Sequence, residues 1–471
     1  MPAVSPTPAD IDQHVTTIRV QHVDQGGWDL HVEVDGKLTS TEHFTDWHRV
    51  ERRRRLALEV PLGAVRVLLA VLLTIAMPVG RVLAQEAAPG LLSEPRILEK
   101  GITFITGLKG DEADRAKEGF YPELGHMITG AGWISLGPGY RQRLFEDRAV
   151  LDLSTAISWR AYKVAQARVE LPSLAQGHLT LGSQMLWNDL TQVSYFGSGP
   201  DSVETARSDY RLQASDLVLY AIVRSSPSVS LTGRAGWLSR PGVSSSTGPF
   251  DRDLPDTVQQ LPDDPAASLS RQPRFLHADI WVAADTRDHA GHPSRGVLYR
   301  AGWAGFSDRE SGAFTFDRYE VEGAHFLPLA GGRSVVALHG WGVFSTTTDD
   351  RAIPFYLLPS LGGHNTLRGY VDYRFHDRHL VVVNAESRWA LFAHLDGAVF
   401  IDAGNVAPRA ADLDLTRTSL GTGLRLHTGT STIARFDVAN GDEGWRFLFR
   451  VNDPLRLGRL GRRTAAVPFV P

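Results

Sequence analysis

The stretch Leu380-Val381-Val382-Val383-Asn384-Ala385-Glu386-Ser387-Arg388-Trp389 sorts its side chains onto two faces: Val381, Val383, Ala385 and Trp389 on one, Asn384, Glu386 and Arg388 on the other. A period of two belongs to an extended strand, whose side chains point alternately to opposite sides of a sheet. Thr418 to His427 repeats it, with Leu420, Leu424 and Leu426 opposing Ser419, Gly421, Gly423, Arg425 and His427. So do Leu179 to Trp187 and Trp445 to Val451. About fifteen such segments of roughly ten residues follow His126, and no stretch among them sustains a helical period for three turns. A soluble sandwich also alternates, but it seldom holds the pattern over so many long strands. Long strands with one apolar and one polar face favour an all-β fold: a transmembrane antiparallel β-barrel around an aqueous lumen, expected to have 16 strands.

Composition narrows the alternatives. Among 471 residues, 49 Lys and Arg stand against 53 Asp and Glu, a net charge of −4, which argues against nucleic acid as a partner. A mean hydropathy of −0.16 is too low for a bundle of membrane helices. The lack of cysteine excludes disulfides, thiolate zinc sites and cysteine nucleophiles. Arg52 to Arg55 and Arg66 precede the apolar run Val67 to Met77, and Val82-Leu83-Ala84 follows, so residues 60–84 read as a secretory signal peptide cleaved after Ala84. Residues 1–59 are then a doubtful N-terminal extension that a wrong start would explain, although Thr16 to Phe44 alternates like strands with a turn at Asp35-Gly36. Residues 85–119 read as a short periplasmic lead-in, 120–453 as the barrel and 454–471 as a C-terminal tail. Arg240 to Gln272, rich in Pro, Ser and Asp, reads as the longest extracellular loop.

The sharpest motifs lie in the last quarter. Leu361-Gly362-Gly363-His364-Asn365-Thr366-Leu367-Arg368-Gly369-Tyr370 leads to Arg374-Phe375, and Phe400-Ile401-Asp402-Ala403-Gly404 follows some thirty residues later. In these residues the chain resembles the bacterial surface antigen superfamily of outer-membrane β-barrels, of the barrel-assembly, translocation-assembly and two-partner-secretion types. Tyr121-Pro122, Gly137 to Tyr140, the glycine-rich Tyr195 to Gly199 and Asp285-Thr286-Arg287-Asp288 look like further family positions, so the resemblance spans residues 120 to 453. Strand parity puts Phe400 and Asp402 on one face with Asp396, and puts Glu386 and Arg388 inward as well. An arginine on a loop folded into the lumen would find Asp402 and Glu386 there, and its planar fork suits a carboxylate. The resemblance implies that Arg368 pairs with Asp402, in a loop-lock motif of Arg368, Gly369, Tyr370, Phe400, Asp402 and Gly404, with Glu386 as the competing partner.

The resemblance also implies a place in the outer membrane of a Gram-negative bacterium and a role in protein translocation or outer-membrane biogenesis. Its partners are then outer-membrane lipid and an unfolded protein client or a periplasmic partner. A lead-in of about 40 residues cannot hold a receptor domain of the kind such relatives carry, since a folded domain needs roughly twice that length. The alternative is a surface-exposed or pore-forming barrel that binds an external ligand; a barrel lipase ranks lower, because no G-x-S-x-G elbow occurs and no enzyme activity is expected. His289 and His292 stand beside Asp288, but no third ligand is evident from the sequence, so they read as surface residues and no metal or cofactor is expected.

Overall fold

The computed structural model describes residues 16–23, 27–34, 37–44, 91–92, 95–96, 100, 118–124, 135–260, 272–329, 332–348 and 350–450. The expected signal peptide at 60–84 and tail at 454–471 lie outside the described residues. Residues 16–44 contain an antiparallel sheet of three strands, Thr16–Val23, Gly27–Val34 and Lys37–Phe44; the turn expected at Asp35-Gly36 lies outside the described residues. This sheet belongs to a compact unit separate from residues 85–471.

Sixteen strands of the larger unit form one antiparallel sheet in chain order, from Gly119–Leu124 to Gly444–Arg450. Each strand pairs with its sequence neighbour, so every connection is a hairpin and alternate connections share a rim. Among the described residues no ladder joins the first strand to the last. Among the described residues one rim carries tight turns at 145–148, 175–178, 227–228, 393–394 and 428–431, and the other carries the loops 196–207, 309–315 and 408–416 and the described parts of the longer connections 246–274 and 347–378. This is the asymmetry of an outer-membrane barrel, with short turns toward the periplasm.

The two faces of the sheet are chemically distinct. Leu217, Leu219, Ile280, Val282, Val399, Ile401, Leu420 and Phe447 are exposed at every second position. Their neighbours in sequence, Asp216, Asp279, Phe400, Asp402 and Ser419, are buried on the inner face. An apolar surface of this extent is unfavourable in water and is satisfied by lipid.

The inner face departs from an open aqueous lumen. The loop 347–378 folds back against it and pairs its own ends, Ser360–Leu361 with Phe375–His376. Leu361, Leu367, Tyr370 and Phe375 of that loop pack on Leu380, Val382 and Val406 of the wall. Beside them, Phe355 to Leu358 join Tyr195, Tyr210, Phe275, Phe306 and Phe316 in a second buried cluster. Polar strand positions alone do not show this, because the filling comes from a connection distant from most of the strands it covers.

The loop expected from Arg240 begins later, since the strand Val229–Ser245 continues through Pro241. Pairing to its later neighbour ends at Leu238, and pairing to its earlier neighbour shifts register between Ser239 and Gly242. A bulge of this kind on a one-sided strand accommodates a residue with no N–H to donate. Residues 261–271 of the expected loop lie outside the described residues.

A continuous hairpin sheet whose ends close together leaves detergent no edge to unzip. The folded chain is therefore expected to migrate faster on an unheated detergent gel than after boiling. Equal mobility in the two lanes would rule out a closed barrel.

Candidate functional site

Four consecutive strands, His379–Phe392, Leu395–Ala407, Arg417–His427 and Thr432–Gly441, project polar side chains into one patch of the inner face. Register fixes the arrangement: Asn384 lies opposite Asp402, and Asp402 opposite Ser419. Two-residue periodicity then brings Glu386, Arg425, Arg435 and Asp437 to the same side.

The loop delivers Arg368 into this patch. The Gly363 N–H donates to the carbonyls of Leu367 (3.1 Å) and Tyr370 (3.0 Å), closing a small knot around the motif. From it the Arg368 Nη2 donates to Asp402 Oδ1 at 2.6 Å and the Nε to Oδ2 at 3.0 Å, while the backbone N–H of Arg368 reaches Oδ2 at 3.1 Å. Nη1 turns the other way and donates to Glu386 Oε2 at 2.6 Å. The structure thus brings Arg368 to both carboxylates at once, and the choice between Asp402 and Glu386 does not arise. Asp402 is completed by Asn384 Nδ2 (2.8 Å) and Ser419 Oγ (2.9 Å).

Further charges extend the cluster beyond the residues singled out from sequence. Arg425 donates to Glu386 Oε2 at 2.8 Å and to Asp437 Oδ1 at 2.5 Å, and the Arg435 Nε stands 3.0 Å from Asp437 Oδ2. Arg368, Arg425 and Arg435 are balanced by Asp402, Glu386 and Asp437, three charges against three, all buried. Charges removed from water are tolerated when they are paired and hydrogen-bonded; the Arg368 and Arg425 pairs meet that condition, while Arg435 is paired with Asp437 by proximity and donates its hydrogen bond to the His364 carbonyl. The central carbon of the Arg368 guanidinium also lies over the Phe400 ring, 3.4 Å from its centre, a cation–π contact in which a lysine would lack the planar group that stacks.

The motif glycines are close-approach positions. A Cβ on Gly369 would stand 2.6 Å from the Ser419 Cβ and 2.8 Å from the Gly441 nitrogen, and one on Gly404 would stand 2.5 Å from the Val381 carbonyl oxygen. Tyr370 is buried and its hydroxyl donates to Asp442 Oδ2 at 3.0 Å. Arg374 makes a second clasp, to Glu443 Oε1 at 2.5 Å and to Ser202 Oγ and carbonyl at 2.8 and 2.7 Å. It ties the loop to the glycine-rich segment after Tyr195, where the Gly199 N–H also donates to the His376 carbonyl at 2.8 Å. His364, in the same loop, has its pKa lowered from the usual 6.5 to about 4, chiefly by burial and then by the adjacent Arg450 cation.

Chemically the patch holds rather than reacts. Both oxygens of Asp402 accept several hydrogen bonds and are committed to them, so this carboxylate is not poised as a base. One expectation fails: His292 is not a surface residue but is buried beside Asp396 and His427, whereas His289 is exposed as expected. The sequence could not show this, because His292 stands more than a hundred positions before Asp396 and His427.

Residues 258–452 match the Omp85 superfamily domain, and the whole Arg368 cluster falls inside the match. The surface antigen resemblance read from Arg368 and Asp402 is to this same superfamily. Among solved structures, BamA from Haemophilus ducreyi lacking POTRA domains 1–3 superposes with a TM-score of 0.49 at 16% identity, over 71% of this chain and 69% of that one. CdiB from Escherichia coli gives 0.46 at 14%, over 76% and 70%. CdiB from Acinetobacter baumannii gives 0.44 at 14%, over 71% of this chain and 58% of its own length. No curated protein sequence matches the chain. The lipid-facing strands described above are what an outer-membrane β-barrel requires.

Two outcomes test the site. Arg368→Ala is expected to cost on the order of 3 to 5 kcal/mol and to expose the 347–378 loop to protease, because it strands Asp402 in a buried site. The Arg368→Ala/Asp402→Ala double variant should cost much less than the sum of the singles. Glu386→Gln should also couple to Arg368, but more weakly, since Arg425 retains Asp437. Urea unfolding in lipid vesicles measures all four.

The second outcome concerns pH. A histidine whose folded value lies near 4 and unfolded value near 6.5 binds more protons unfolded, so its contribution is intact above pH 6.5 and is lost as pH falls toward 4. Protease sensitivity of the loop should rise across that window, and His364→Gln should remove part of the rise.

Proposed function

We propose that this Omp85 barrel moves unfolded polypeptide into or across the outer membrane, with a separate periplasmic protein presenting the client. The observation that carries the reading is the long loop held inside the sheet by Arg368 against Asp402 and Glu386. The loop fills the interior but is fastened there by ion pairs rather than by the sheet, so it can give way as a unit to an extended chain. Residues 85–119, read as a lead-in too short for a receptor domain, support the separate partner. The N–H groups of Leu91 and Leu92 in it donate to the carbonyls of Ala390 and Leu391 at 3.1 and 2.9 Å, which places them on the short-turn rim where a periplasmic protein would approach.

One observation favours the alternative of an external ligand. A cavity of about 350 Å³ opens near the long-loop rim, lined by Gln192, Asp209, Phe250, Asp251 and Asp256. Its size suits a small polar molecule.

A photo-crosslinking residue at Leu92, or at the inner-face position Gln184, is expected to capture a secreted or outer-membrane polypeptide in living cells. Deletion of the gene should deplete that same polypeptide from the surface. An unchanged surface and secreted proteome, with no captured polypeptide, would overturn the translocation reading and leave the ligand-binding barrel.

A further inference from the structure

The segment 286–295 is unlike its neighbours on the short-turn rim, where the other connections span two to four residues. Asp288 organises it by accepting the N–H groups of His289, Ser294 and Arg295 at 2.9, 3.0 and 3.3 Å. Its far end leaves its own hairpin and lies against the turn 428–431: the Thr432 N–H donates to the Gly291 carbonyl at 3.1 Å, and Gly291 forms a bridge with Ser431. In the strand order these elements are far apart, so the segment crosses from one part of the wall to another.

That crossing brings His292 into a cluster. Its imidazole stacks on His427, ring centres 4.0 Å apart and planes 9° from parallel. Both Nε2 atoms point at one carboxylate: His292 lies 3.3 Å from Asp396 Oδ2, and His427 lies 3.2 Å from Oδ1. All three residues are buried, and their ligand atoms lie within 4.8 Å of one another.

We propose that His292, Asp396 and His427 bind a divalent transition-metal ion of the zinc class, through two imidazole nitrogens, one carboxylate oxygen and an open fourth position. Three features point that way. A tetrahedral zinc with nitrogen and oxygen ligands near 2.0–2.2 Å subtends ligand separations of about 3.3 Å; the two nitrogens stand 3.3 and 3.2 Å from the two different oxygens of Asp396, so a turn of that carboxylate is needed to present one oxygen to both. Asp402, Glu386 and Asp437 each meet an arginine, whereas the side-chain partners of Asp396 among the described residues are these two imidazoles. The other nitrogen of His292 has an orienting partner, since Nδ1 lies 3.0 Å from Thr432 Oγ1.

The ion has a competitor. In the metal-free arrangement the Gly429 N–H donates to His427 Nδ1 at 3.0 Å, and the Arg388 Nη1 lies 3.4 Å from His292 Nδ1. Each Nε2 then carries the proton and donates to Asp396, which makes a hydrogen-bonded clasp. Coordination through both Nε2 atoms moves each ring's proton from Nε2 to Nδ1, with no net release; the Gly429 N–H and the Arg388 Nη1 must then turn aside, and the His292 Nδ1–H donates to Thr432 Oγ1. Gly429 sits at a φ of +88° in a four-residue turn, a conformation a glycine holds and leaves at little cost.

The experiment uses the full-length untagged protein, folded in detergent and stripped with a chelator. Dialysis against Zn²⁺ is expected to load one ion per chain, and Co²⁺ substitution should give the intense visible bands of a tetrahedral site. His292→Ala and His427→Ala should each abolish loading while keeping the heat-dependent gel mobility of a folded barrel. Thr432→Val should weaken it about 10- to 100-fold. His289→Ala, on the exposed part of the same segment, should leave it unchanged. No stoichiometric uptake, or uptake that survives loss of both His292 and His427, would overturn the proposal and leave the cluster as a hydrogen-bonded clasp. If an alanine variant fails to fold, His427→Gln retains a polar group at that position and decides the question.

Discussion

A guanidinium buried at 2% exposure fixes the interior of this barrel. Out of water, such a charge is tolerable only with anionic acceptors placed to meet its planar fork. Arg368 therefore requires Asp402 on one strand and Glu386 on the next, both facing inward and in register. Glu386 in turn meets Arg425, and Arg425 meets Asp437, on the strands beyond. One slipped register would turn each strand's inward set toward lipid, so the ion-pair chain and the hairpin register specify each other.

The same logic explains why the loop packs as it does. Gly369 lets its backbone approach Ser419 and Gly441 closely enough for Arg368 to reach the wall, and Gly404 gives the strand opposite the same freedom. Leu361, Leu367, Tyr370 and Phe375 then cover the pairs and exclude water. In that dry setting each pair is stronger than on an exposed surface, and the penalty for breaking one is larger.

Much of this was legible in the sequence, for a simple reason: strand parity is a local property. Asp402, Phe400 and Asp396 fall on one face by counting in twos, as do Glu386 and Arg388, and the outward Val399 and Ile401 confirm the lipid side. What parity does not carry is distance between strands. Asn384, Ser419, Arg425 and Asp437 can be assigned inward individually, but their meeting around Arg368 depends on register. His292 was misread because its partners Asp396 and His427 belong to other hairpins. Pro241 was misread because a bulge lets the strand continue where the residue type suggests a loop. The inserted loop was legible in the Arg368 motif, but the apolar filling around it was not, because an inward polar face is equally compatible with water and with packed side chains.

The second clasp has a dynamic consequence. Arg374 joins the loop to Ser202, in the connection 196–207, and to Glu443, beside the last strand, while its guanidinium packs on Phe196 and Phe375. The loop is thereby held at two points whose anchors lie on different parts of the wall. Freeing one anchor alone recovers little conformational entropy, because the other still confines the chain. Most of the entropy is gained only when both let go. Departure of the loop from the interior is therefore cooperative, and any partner or client that shifts it must act on a two-state equilibrium rather than on a graded drift.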